Sequence, residues 1–281
     1  MKVLARAKIN LTLDILGIRP DGFHQVATVM QSIALHDTLT FTPEESGIDL
    51  VVTGGKVSAG RDNLVYRAAE LMRERSVGRP GVSIVLDKNI PVEAGLGGGS
   101  ADAAATILAL NDLWHINLPL PELIDLGAGL GSDVPFCIKG GTALALGRGE
   151  LLKPLPHCPN LGLVLVKPPW GVSTAAVYRA YDQMPGKVKP DTAGMIQAIK
   201  EGDPVAIAGK LANALEEPVL TMHPAMAEIK KRLLQAGALG VLMSGSGSTV
   251  FGLTPDLSTA EKVAESYQPT SEELILATHC S

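Results

Sequence analysis

The sequence predicts an α+β protein of two domains, and three observations carry this. Segments with strand patterning alternate with helical ones, but without the regularity of repeated βαβ units. The 281 residues exceed what one compact core needs. A stretch with three prolines, 154–160, offers a boundary. It gives an N-terminal domain over residues 1–155 and a C-terminal domain over 156–281.

The elements follow in order. Residues 3–16 alternate loosely and carry β-branched side chains, so they read as strand. Pro20, Asp21 and Gly22 then supply turn chemistry. Residues 26–41 and 48–53 read as further strands. Leu64, Ala68, Leu71 and Met72 recur at helical spacing within 63–75, with Asp62 or Asn63 as cap. Residues 81–87 put Val82, Ile84 and Leu86 on one strand face. An alanine-rich helix spans 101–114, and a short one 125–131. Residues 135–146 have strand character, with Cys137 packed in it. Beyond the proline stretch, strands are expected at 161–166, 240–243, 249–253 and 273–277. Helices are expected at 174–181, 195–200, 204–214, 225–236 and 258–267. In the helix 225–236, Met226, Ile229, Leu233 and Leu234 should face inward.

Composition limits the function. Hydrophobic residues make up 46% and charged residues 19%, enough for a sizeable core. The net charge is −5 with no Lys/Arg-rich run, which argues against a nucleic-acid partner. Three cysteines without a CxxC pair argue against a disulfide framework or a Cys-rich zinc site, and fit a reducing, cytoplasmic setting. Arg6 and Lys8 interrupt the first apolar run too early for a signal peptide, and no membrane partner is expected.

The most unusual segment is the glycine loop. Four glycines fall within the five residues 95–99, directly before a helix. Glycine lets backbone approach a ligand closely, and the helix start offers unpaired N–H groups with a positive dipole end. This suits the phosphates of a nucleotide. No Gly-Lys-Ser/Thr occurs, so the loop is not a Walker P-loop, and the GxGxxG spacing is not met either. A plain turn would not need four glycines, whose ordering costs conformational entropy.

Three spaced segments together resemble the GHMP kinase superfamily of galactokinase, homoserine, mevalonate and phosphomevalonate kinases. They are Ala7-Lys-Ile-Asn-Leu, Pro91-Val-Glu-Ala-Gly-Leu-Gly-Gly-Gly-Ser-Ala and Ser244-Gly-Ser-Gly-Ser. Within it, Arg19-Pro-Asp-Gly-Phe-His, Gly131-Ser-Asp-Val-Pro-Phe, Asp62-Asn-Leu and Pro169-Trp-Gly-Val-Ser-Thr are similar to the branch that acts on a cytidyl diphosphate alcohol. The resemblance implies an N-terminal domain like the second domain of ribosomal protein S5. It also implies a ferredoxin-like C-terminal domain, with the active site between the two. It implies ATP with Mg²⁺ as cofactors, a small-molecule cytidyl diphosphate substrate, and a monomer or weak homodimer. No metal-ligating protein residue is assigned.

The same resemblance implies roles. Asp133 corresponds to the catalytic base and Lys8 to its partner. Pro91, Val92, Glu93, Ala94, Gly95, Leu96, Gly97, Gly98, Gly99, Ser100 and Ala101 correspond to the ATP-phosphate loop. Asn63, Leu64 and Lys88 fall where the family holds adenosine, and Asn10 and His24 in the cytidine–erythritol pocket. Phe23 and Tyr178 match the aromatic pair that sandwiches cytosine. Two features depart from the family's commonest pattern. Phe23 stands where many members have Tyr, and Glu93 brings a carboxylate into the loop, which must point away from the phosphates.

Read from the residues alone, several of these positions have a plainer meaning. Asp133 serves equally well as a helix cap in Gly-Ser-Asp-Val-Pro. Lys8 fits a solvated strand face, although Asn10 lies on the same face. Phe23 and Tyr178 fit core positions, His24 a surface one, and 244–248 a hairpin turn. The chemistry favours the sharper reading, since a tertiary alcohol needs a carboxylate to take its proton and a nearby ammonium to offset developing charge. Two alternatives remain. One is another acceptor in the same family, homoserine or mevalonate, against which the Asp-Gly-Phe-His segment argues. The other is a nucleotide-binding regulator without catalysis, against which Lys8 and Asp133 argue.

Overall fold

The computed structural model describes residues 1–55, 57–270 and 272–281. The chain divides into two compact units that do not follow a single cut in the sequence. One comprises residues 1–8, 35–92 and 97–140, the other 9–34, 93–96 and 141–281. Strands β1 (Lys2–Ile18) and β2 (His24–Glu44) each begin in one unit and end in the other.

In the first unit, β3 (Ile48–Thr53) runs parallel to β4 (Gly81–Asp87), so the connection must cross over. Helix α1 (Leu64–Arg73) makes that crossover. The later part of β2 pairs antiparallel with the other edge of β4, from Thr38 opposite Asp87 to Glu44 opposite Gly81. Val82, Ile84 and Leu86 are buried on one face of β4, as their alternation predicts. Helix α2 (Gly98–Leu113) contacts α1, α3 (Leu120–Leu130) and α4 (Val134–Lys139). Its alanines let neighbours approach on several sides, and Ala101, Ala103, Ala104, Ala105 and Ala109 are all buried.

Two expectations fail here. Residues 135–146 are not one strand. Pro135 sits in the first turn of α4, and Gly140, at φ +69°, ends that helix before β5 (Thr142–Gly147) begins. Cys137 therefore lies on a helix, not in a strand.

The second unit adds β5, antiparallel to the early part of β2, and β6 (Leu151–Pro154), antiparallel to β5. Four further strands form an antiparallel sheet. They are β7 (Gly162–Lys167), β9 (Gly240–Met243), β10 (Val250–Thr254) and β11 (Leu274–His279), in the order β11-β7-β10-β9. That order, with helices between β7 and β9 and between β10 and β11, is ferredoxin-like. The helices α5 (Thr174–Gln183), α6 (Thr192–Glu201) and α7 (Pro204–Gly209) follow β7. A short β8 (Ala212–Asn213) then pairs parallel with β1. Helices α8 (Glu216–Met222) and α9 (Ala225–Gln235) lead to β9, and α10 (Leu257–Ser266) leads to β11.

Val164, Val166, Val177, Met226, Ile229, Leu233 and Val250 share the core of this unit. Each such side chain contributes roughly 1.5–3 kcal/mol on burial. Leu234 does not join them; it is 49% exposed. One residue past Leu233 is a further 100° around the helix, off the 226/229/233 stripe. Arg232 is buried instead, paired with Glu273 at 2.9 Å.

Candidate active site

The first unit gathers the groups expected for phosphoryl transfer. Lys8 is almost fully buried, and its ammonium lies 3.3 Å from an Asp133 oxygen. Asp133 occupies the N-cap position of α4, yet its carboxylate makes no capping hydrogen bond and stays 34% exposed. The cap explanation thus fails for the side chain. A carboxylate that is reachable and beside an ammonium can accept a proton from a hydroxyl.

The start of α2 lies close by. Its N-cap, Gly97, has left-handed backbone at φ +70°, and no side chain caps the first-turn N–H groups. A Cβ on Gly131, two residues before Asp133, would lie 3.7 Å from Ser100 Oγ. The Cys137 thiol, raised well above its ordinary pKa by burial, also senses the charges of Asp133, Lys8 and Asp102.

The loop glycines serve different neighbours. A Cβ on Gly97 would lie 3.0 Å from both Cε and Cγ of Lys8, so this glycine makes room for the lysine rather than for a ligand. A Cβ on Gly98 would lie 3.0 Å from Ile90 Cγ2 and 3.2 Å from Lys88 Nζ. Gly99 faces the most open space, with only Leu64 Cδ1 at 3.5 Å. Pro91, Val92, Ser100 and Ala101 flank them in the same unit.

Two residues expected at adenosine are engaged inside the protein. The Asn63 side chain caps α1 by accepting from Val65 N at 2.8 Å and donates to Ser58 O at 2.6 Å. The Lys88 ammonium is buried and bonded to Asp37 and Asp102. Their backbone is engaged too: Asn63 N donates to Gly60 O at 3.0 Å, and Lys88 N to Thr53 O at 2.9 Å. Burial, with the neighbouring Asp37 charge, raises the Asp102 carboxyl to about 7 despite the opposing Lys88 ammonium.

In the second unit, residues 93–96 are held by the serine-glycine turn 244–248. Ser244 Oγ donates to Gly95 O at 3.0 Å, and Thr249 N donates to Ala94 O at 3.2 Å. A Cβ on Gly95 would collide with the carbonyl oxygen of Ser244. Leu96 is buried. The Glu93 side chain packs on Gly171 and lies near enough to Lys167 to raise its pKa against the lowering by burial. The turn at 244–248 therefore grips the loop, a role its composition did not disclose.

The aromatic positions are also in this unit. Tyr178, half-buried on α5, packs its ring on that of His24 with centroids 4.6 Å apart. His24 Nε2 lies 2.8 Å from Asp182 Oδ1, and Asp182 is one turn beyond Tyr178. Phe23 is 52% exposed and carries the Arg148 guanidinium 5.0 Å from its ring centroid. Asn10 is buried and donates to Thr28 Oγ1 at 2.8 Å. Asp182 and Arg148 were not legible as partners of this group from sequence. Only the i, i+4 spacing of Tyr178 and Asp182 hinted at one of them.

Comparison with known proteins gives a consistent result. The GHMP kinases N terminal domain matches residues 63–141, and the GHMP kinases C terminal region matches 195–269. A 4-diphosphocytidyl-2-C-methyl-D-erythritol kinase of Pelotomaculum thermopropionicum is 58% identical over 97% of this chain and 96% of its own. One from Moorella thermoacetica is 50% identical over 97% and 96%. A crystal structure of 4-(cytidine 5'-diphospho)-2C-methyl-D-erythritol kinase superposes with a TM-score of 0.85 at 37% identity, covering 100% of both chains. Homoserine kinase from Cytophaga hutchinsonii, at 21% identity and a TM-score of 0.75, shares the fold, with 99% of this chain and 94% of that one covered. The chain is a small-molecule kinase that belongs to the GHMP kinases, within the family of 4-diphosphocytidyl-2-C-methyl-D-erythritol kinases.

Proposed function

We propose that this kinase transfers the γ-phosphoryl group of ATP to the 2-hydroxyl of 4-diphosphocytidyl-2-C-methyl-D-erythritol. The products are the 2-phosphate and ADP, in non-mevalonate isoprenoid precursor synthesis. The observation that carries the reading is the Lys8–Asp133 pair beside the uncapped start of α2. The N–H groups of that first turn bind phosphate oxygens. Asp133 accepts the hydroxyl proton as the oxygen–phosphorus bond forms and the bond to the ADP oxygen breaks. The Lys8 ammonium offsets charge on the transferring group.

Among the described residues, no group of three or more His, Cys, Asp or Glu side chains could hold a metal ion. Mg²⁺ brought in with ATP would sit on the nucleotide's phosphate oxygens. Bound there, the ion would neutralise phosphate charge. His24, Tyr178, Phe23 and Asn10 are assigned to the cytidyl substrate. Phe23, 52% exposed, and Tyr178 support that assignment, because rigid aromatic faces bind a base at low entropic cost. No helix among the described residues is long and apolar enough to cross a membrane, and we place the reaction in the cytoplasm.

The test is ADP release measured with cytidyl methylerythritol, homoserine and mevalonate as acceptors. Turnover should require the cytidyl compound. Equal or faster turnover with homoserine or mevalonate would replace the proposed acceptor.

A further inference from the structure

Three charges that the transfer step does not use are buried together behind the glycine loop. Asp37 on β2 is fully buried, and Lys88 after β4 and Asp102 on α2 are nearly so. The Lys88 ammonium donates to one Asp37 oxygen and to Asp102 Oδ2, the latter at 2.8 Å. The other Asp37 oxygen accepts the backbone N–H of Asn89 at 2.6 Å and of Ile90 at 2.7 Å. One carboxylate thus holds the Lys88 side chain and the next two peptide groups, on the approach to Pro91.

Such a cluster is poorly explained by stability. Burying charges costs desolvation that their mutual attraction repays only with complete hydrogen bonding. Here Asp102 Oδ1 is buried with no hydrogen-bond partner among the described residues. Well-packed apolar side chains would do as well. What the cluster does achieve is a fixed connection. Lys88 Nζ and Ile90 Cγ2 lie directly under Gly98, the first residue of α2, at 3.2 and 3.0 Å from where a Cβ would be. Asp102, one turn further along α2, is bonded to the same Nζ.

The geometry points to Lys88 as a positioning residue: with Asp37 and Asp102 it ties the exit of β4 to the first turn of α2 and fixes the phosphate-binding N–H groups before the nucleotide arrives. Its ammonium does not itself touch the nucleotide. The glycines next to it would otherwise sample many conformations and lose that freedom on binding. Donors already in place need no reorganisation. The inference rests on the kinase reading above.

Calorimetric titration with Mg²⁺ and ADP, without acceptor, separates the two. Affinity reports positioning, whereas stoichiometry reports how much protein is folded, which is all a purely structural role would change. Lys88→Met should weaken ADP binding about tenfold or more at a stoichiometry near one, as expected for losing hydrogen bonds to charged groups. Asp102→Ala should weaken it similarly. Asp102→Asn keeps an acceptor for Lys88 and should stay within about threefold of the parent. The Asp102 pair carries the test alone if Lys88→Met does not fold. A Lys88→Met or Asp102→Ala affinity within about threefold of the parent, or Asp102→Asn as weak as Asp102→Ala, overturns the positioning role and leaves the kinase reading intact. No ADP binding by the parent overturns both.

Discussion

Gly97→Ala separates a glycine that makes room for Lys8 from one proposed to serve the nucleotide. The added Cβ would lie 3.0 Å from Lys8 Cε and Cγ, where ordinary contact begins at 3.4 Å. The lysine shaft must therefore retreat by roughly half an ångström, which takes the ammonium from 3.3 Å to about 4 Å from Asp133. At an effective dielectric of about 20, that retreat costs ~1 kcal/mol of attraction, or about fivefold. Misplacing a catalytic group by about 1 Å can cost up to 10²-fold, which sets the upper bound. The left-handed backbone adds about 1–2 kcal/mol of destabilisation, visible in a melt rather than in kinetics. Steady-state kinetics should therefore show kcat lowered by about 5- to 100-fold, with the ATP KM within about threefold. Gly99→Ala is the control, because its Cβ meets only Leu64 Cδ1 at 3.5 Å and any loss should fall on ATP KM. A folded Gly97→Ala enzyme with unchanged kcat, or with its loss confined to ATP KM, would refute the reasoning.

Two further outcomes are expected. Tyr178→Ala should raise the acceptor KM and leave the ATP KM nearly unchanged, because base stacking is worth about 1–3 kcal/mol; an effect on ATP alone would remove Tyr178 from the cytidyl site. Burial raises Asp102 to about 7, above the ordinary carboxyl value, so its contribution to stability is complete below pH ~4 and lost as pH rises through ~7. Melting temperatures at pH 5 and pH 8 should accordingly fall less in Asp102→Asn than in the parent, and parallel falls would contradict the shift.

How far the sequence could be read depends on what each feature requires. The glycine loop was legible because left-handed backbone and close approach favour glycine at positions 95 and 97. What each glycine approaches was not. Gly97 and Gly98 read as room for phosphates, while the structure fills that room with Lys8, Lys88 and Ile90. Asp133 was ambiguous because a cap position and the proposed catalytic position coincide in the chain; the structure shows no cap bond from its side chain. The Asp37–Lys88–Asp102 cluster joins residues 51 and 14 positions apart, and no local pattern announces such a pairing. Strand alternation served well at β4 and failed at 135–146, where Pro135 and Gly140 make a short helix. Helix α8 escaped notice because seven residues are too few for a clear apolar period.

The central claim is that Asp133 takes the acceptor's proton beside Lys8 at a nucleotide site built by α2. Asp133→Asn keeps the shape of the side chain and removes its basicity. Calorimetry with Mg²⁺ and ADP should give the parent affinity, while turnover with ATP and cytidyl methylerythritol falls about 10²- to 10⁴-fold. Turnover within a few-fold of the parent would contradict the account.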